Sequence, residues 1–98
     1  MPTKSNHVIV ATLRVEEQHR VTFLEVVKTL AEATLLETGC LDFELHLPED
    51  GSACIMIYEV WQSKAHWETH MATAHIAQFK TDVASFSPVA ELQHFQKL

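Results

Sequence analysis

Apolar residues occupy both parities of the first patterned segment, HVIVATLRV, at residues 7–15. Ile9, Ala11, Leu13 and Val15 fall on one face of an extended chain, and Val8 and Val10 on the other. A short, β-branched run of this kind predicts a central strand covered on both faces. The period then lengthens. Phe23, Val27, Leu30 and Thr34, joined by Leu24, Ala31 and Leu35, recur at three- and four-residue spacing and predict an amphipathic helix over residues 16–36. Glu16 and Glu17 stand where a helix start favours negative charge, and Glu25, Lys28 and Glu32 face away from the stripe, with Lys28 and Glu32 one turn apart. Gly39 is placed to take the left-handed conformation that ends helices.

Period two returns at residues 41–47, where Leu41, Phe43, Leu45 and Leu47 alternate with Asp42, Glu44 and His46. Pro48-Glu49-Asp50-Gly51-Ser52 is turn chemistry, and ACIMIYEVW at residues 53–61 forms a second strand. A turn centred near Asp50 predicts Leu45 opposite Ile55, Phe43 opposite Ile57 and Leu41 opposite Glu59, on one apolar face for a helix to cover. The other face carries Asp42, Glu44, His46, Cys54, Met56, Tyr58 and Val60. It is too apolar for free solvent and too polar for a core, which suits packing against a second copy of the sheet. Met56 and Tyr58 are expected at that homodimer interface.

Ser63 is a plausible N-cap for a second helix, Thr73 for a fresh start within it, and Pro88 ends the helical region before a last strand at residues 89–95. The order β-α-β-β-α-β predicts an α+β, ferredoxin-like fold: an antiparallel four-stranded sheet with its helices on one face, formed as one domain over residues 1–98. Its first and third strands would be central, in keeping with their two-sided apolar pattern.

Composition narrows the partners. Seven Lys and Arg against thirteen Asp and Glu give a net charge of −6, with no basic cluster. Nucleic acid and anionic membrane surfaces are therefore not expected partners. No leader-like segment and no apolar run long enough to span a bilayer is present, so a cytoplasmic location is expected. Cys40 and Cys54 fit no zinc spacing, and the hairpin holds them roughly 20 Å apart, too far for a disulfide.

Three histidines, His66, His70 and His75, cluster beside Trp67 and Phe79. His66 and His70 share a helical face at i,i+4, but two ligands do not make a metal site. On a continuous helix His75 would lie about 140° off that face. No metal is therefore expected, although a break at Thr73 would change the geometry. Proton transfer suits the residue type better, since imidazole can take and return a proton near neutrality. His75 in the first turn of a helix would have its charged form disfavoured by the dipole, leaving it ready as a base. Glu59 shares a face with Phe43, Ile57 and Trp61, where a buried carboxylate needs a partner.

The ordered set Glu37-Thr38-Gly39-Cys40-Leu41-Asp42-Phe43, then Glu59-Val60-Trp61-Gln62-Ser63, then His70, His75 and Phe79 resembles the antibiotic biosynthesis monooxygenase family. The family pattern is E-x-G-C-x-x-[YF], E-x-W-x-[SD] and H-x(4)-H-x(3)-F, and the resemblance spans about residues 7–95. It implies ferredoxin-like subunits whose sheets pack face to face as a dimeric α/β barrel. It further implies a substrate pocket between helices and sheet, with His75 the expected base, His70 beside it, and Glu59 and Trp61 as positioning groups. Trp61, Phe43, Phe23 and Phe79 would form its wall.

Some members oxygenate phenolic polyketides or quinols with O₂ and neither metal nor flavin, and the expected activity is of that cofactor-free kind. Other members degrade haem or handle phosphorylated sugars. The first strand lacks the asparagine of haem-degrading relatives, and their late-helix histidine position falls near Lys80. Leu35 stands where many relatives carry arginine, and Arg14 and Arg20 are the only arginines near the expected pocket. A neutral aromatic substrate is therefore favoured over haem or a phosphorylated one. The alternatives are a non-oxidative binding protein or isomerase on the same barrel, or a dimer with only a structural role.

Overall fold

The computed structural model describes residues 6–98. Residues 1–5, where the sequence predicts direct entry into the first strand without a leader, lie outside the described residues. The elements run β1 (His7–Arg14), α1 (Arg20–Thr34), β2 (Cys40–His46), β3 (Cys54–Trp61), α2 (Lys64–Met71), α3 (Ala74–Val83) and β4 (Val89–Gln96). Strand order is β2-β3-β1-β4, every pair antiparallel. This is the ferredoxin-like arrangement, with β1 and β3 central as their patterns predict. No helix among the described residues is long and apolar enough to cross a membrane.

One face of the sheet makes the core. Ile9, Ala11 and Leu13 from β1 join Phe43, Ile55, Ile57 and Trp61, and α1 lays Phe23, Val27, Leu30 and Ala31 over them. Ile76 and Val83 of α3 complete the layer. The helix-free face is only partly covered: Val10, Thr12, Met56, Tyr58 and Val60 are half-buried, and β4 is exposed along its whole length.

Three expectations need correction. The first concerns α1, which is preceded by a 3-10 turn at Glu17–His19 and ends at Thr34. Leu35 is therefore a C-cap residue, 51% exposed, and not part of the buried stripe. Lys28 pairs with Glu25 at 3.6 Å rather than with Glu32. The second concerns Gly39, which has a left-handed φ of +87° but does not terminate the helix. It turns the chain into β2, and a Cβ there would clash with the His66 ring. Glycine is required on both counts.

The third correction is the register of the β2–β3 hairpin. Leu45 faces Ile57 and Phe43 faces Glu59, two residues beyond the expected pairing, with an irregularity at Leu41. β1 fixes the position of β3: Arg14 pairs with Cys54, and Val15 N–H donates to the Ala53 carbonyl at 3.1 Å. The connection at residues 47–53 absorbs the difference, held by Ser52 N–H donating to Asp50 Oδ1 at 2.9 Å and by Gly51 at φ +76°. A slip of two preserves side-chain parity, so the apolar face survives the error. His46 lies opposite Met56, Cys54 lies opposite Arg14 of β1, and both cysteines are free thiols.

Candidate functional site

The second helical region breaks where Thr73 predicts. Ser63 caps α2 by accepting from His66 N–H at 3.2 Å, and Thr73 caps α3 by accepting from Ile76 N–H at 3.3 Å. The bend brings His70, in the last turn of α2, near His75, in the first turn of α3, with ring centroids 6.0 Å apart. His66 stays out of this group. Its Nδ1 lies 2.7 Å from Ser63 Oγ, and its ring packs against Gly39.

What joins the two rings is Glu37, in the turn after α1. Its Oε2 lies 2.5 Å from His70 Nδ1 and 2.6 Å from His75 Nε2. A carboxylate oxygen only accepts, so each of these ring nitrogens carries its hydrogen toward Glu37. In the neutral rings the opposite nitrogens are then bare acceptors. His70 is buried and His75 is 30% exposed at the side chain. Burial lowers the His70 pKa below its ordinary value; the bond to Glu37 and its charge oppose the shift, and His75 adds to it. In the sequence Glu37 is only the first letter of the family motif. Only the fold shows that a turn carboxylate faces two helix ends.

The His70 ring lies over the sheet, 4.7 Å from the Trp61 indole and 6.1 Å from the Phe43 ring between centroids. Trp61 Nε1–H donates to Glu59 Oε1 at 2.9 Å, which supplies the partner that a buried carboxylate needs. Glu59 is 4% exposed. Burial raises its pKa to about 7; the Trp61 bond opposes the rise, and the Glu37 charge adds to it.

A pocket of about 250 Å³ opens beside these groups, between α2, α3 and the sheet. Phe43, Glu59, Trp67, His70 and Phe79 line it, with Lys80, Pro88 and Leu92 also on its wall. Phe43, Phe79, Glu59 and His70 thus meet at one cavity as the resemblance implies. Trp61 and Phe23 do not line it. Trp61 is wholly buried beneath His70, and Phe23 lies in the core between Phe79 and Phe86. Nor does His75, which faces a shallow groove between α1 and α3 beside Ala33, Gln78 and Asp82. His70 therefore links the pocket to Glu37, and His75 braces Glu37 from the opposite side.

The sequence profile for antibiotic biosynthesis monooxygenases matches residues 6–82. The chain belongs to this family. A Bacteroides thetaiotaomicron structure, described as a conserved protein of unknown function and possible oxidoreductase, is 27% identical with a TM-score of 0.87, over 95% of this chain and 98% of that one. A Nitrosomonas europaea structure, described as a candidate antibiotic biosynthesis monooxygenase, is 18% identical with a TM-score of 0.90, over 100% and 95%. A Pseudomonas aeruginosa structure is 20% identical with a TM-score of 0.91, over 100% and 99%. No curated protein is significantly similar in sequence.

Proposed function

We propose that this family member is a homodimeric, cofactor-independent monooxygenase acting on a phenolic or quinol-like aromatic. The observation that carries the reading is His70, whose Nδ1 is tied to Glu37 while its ring lines an apolar pocket. A carboxylate that fixes one imidazole nitrogen leaves the other as an oriented base. The assignment moves the base from His75, which the pattern favoured, to His70, which meets the pocket. His75 becomes a positioning residue acting through Glu37.

In this reaction His70 takes a phenolic proton through Nε2. The anion passes an electron to O₂, the radical pair joins carbon to oxygen, and loss of water gives the hydroxylated quinone. The balance for a hydroquinone is one O₂ in, with one oxygen atom in the hydroxyquinone and one in water. Glu59, with a pKa of about 7, is half-protonated near neutrality and can donate to a second substrate oxygen. The half-buried face of the sheet is the proposed contact between two copies. A proton acceptor and a proton donor at one cavity would equally serve an isomerase, and oxygen consumption separates the two.

The test is oxygen uptake by metal-stripped protein over a panel of quinols and phenolic polycycles. Uptake above autoxidation is expected with at least one of them. His70→Ala should lower it by about 10²–10⁴-fold, the usual worth of a general base. His75→Ala should cost on the order of 10-fold, as supporting partners do. The reverse ranking returns the role to His75, and no uptake with any substrate overturns the oxygenase reading.

A further inference from the structure

We infer that Glu37, His70 and His75 form a binding site for a divalent transition-metal ion of the zinc or iron type. The three side chains come from separate elements: the turn after α1, the end of α2 and the start of α3. Their ligand atoms all lie within 4.8 Å of one another. Two imidazoles and one carboxylate are a donor set that zinc and ferrous iron accept, whereas magnesium and calcium prefer all-oxygen sets. The objection from helix geometry does not hold here, because it assumed one continuous helix through His70 and His75. The break at Thr73 turns the second ring back toward the first.

The ion would stand where two hydrogens now lie. Those hydrogens bridge gaps of 2.5 and 2.6 Å. A tetrahedral zinc with bonds of ~2.0–2.1 Å separates its ligand atoms by roughly 3.3 Å. The carboxylate must therefore withdraw by less than about 1 Å and the two rings turn toward one another, side-chain adjustments that leave the backbone in place. His75 is exposed enough at the α1–α3 groove to admit the ion from solvent. Three protein ligands leave further coordination positions for water.

Binding has a chemical consequence for the same site, which rests on the oxygenase reading above. A metal on His70 Nδ1 obliges the neutral ring to carry its hydrogen on Nε2. That nitrogen then donates and cannot accept a proton, so the ion and the base exclude each other.

The test is calorimetric titration of chelator-treated protein with zinc chloride near pH 7.5. One ion per chain is expected, and His75→Ala and Glu37→Gln should each weaken binding at least tenfold, with circular dichroism confirming that the variants fold. His94→Ala is the control, since His7 Nε2 and His94 Nδ1 lie 2.9 Å apart and offer a rival pair. X-ray absorption of the zinc complex should show two imidazole nitrogens and a carboxylate oxygen. No one-to-one binding, or binding lost in His94→Ala and kept in His75→Ala, overturns the site. Zinc that binds at the trio without slowing oxygen uptake supports the site and overturns His70 as the base. Absent binding with intact uptake overturns the site and leaves the base standing.

Discussion

Glu59 is a carboxyl group whose burial opposes its own ionisation, and the size of that opposition can be measured. Its pKa rises from 4.5 to about 7 in the folded chain. Between those values the folded state binds more protons than the unfolded state, so stability falls as pH rises. The contribution is fully present below pH 4.5 and lost as pH passes through 7. The shift corresponds to about 3 kcal/mol of stability withdrawn by pH 8, against about 1 kcal/mol by pH 5. Glu59→Gln keeps an oxygen to accept from Trp61 and removes the titration. The variant should therefore gain on wild type by about 2 kcal/mol between pH 5 and pH 8. For a chain of this size that is a relative rise in Tm of roughly 10–15 °C. Chemical denaturation of both proteins at the two pH values gives the difference, and the histidines common to both cancel. A gap that stays constant with pH, or a variant less stable at pH 8 than at pH 5 relative to wild type, would refute the reasoning.

Gly39→Ala should destabilise the fold by about 1–3 kcal/mol, combining a left-handed φ with a clash on His66. His66→Ala should recover the steric part, and a double-mutant cycle of unfolding free energies would show the coupling. The Cys40 thiol, pushed up to about 11 chiefly by burial and then by the charges of Glu37 and Glu59, should alkylate slowly at neutral pH. Mass-detected iodoacetamide kinetics against pH check this, and fast modification at pH 7 would contradict it. Val10→Lys, on the half-buried sheet face, should convert a dimer to monomers in light scattering; a dimer that survives the change does not use that face.

The sheet and its helices were legible because burial writes periodicity directly into the chain. β1 and β3 carry apolar residues on both faces, and α1 carries a stripe, so the pattern agreed with the strand order that the β-α-β-β-α-β succession implies. Register was not legible, because it depends on how β1 aligns β3 across a distant pairing. The pocket was legible in part: Phe43, Phe79, His70 and Glu59 meet there, yet Phe23 went to the core and Trp61 beneath the site. Apolar character marks a residue as buried without saying against what. Glu37 was missed for the opposite reason. A carboxylate in a turn has solvent as its default partner, and its two histidines lie 33 and 38 residues away.

The break between α2 and α3 has a consequence for how related sequences should be searched. Both histidines reach Glu37 only because the residues between the helices set the angle of the second relative to the first. An insertion or deletion of one residue there would change the angle of α3 relative to α2 and part the rings, with every site residue still spelled out. A relative that keeps Glu37, His70 and His75 but changes the length between the histidines should therefore be counted as lacking the site. One that keeps the length and the capping threonine has the frame to rebuild it with other side chains.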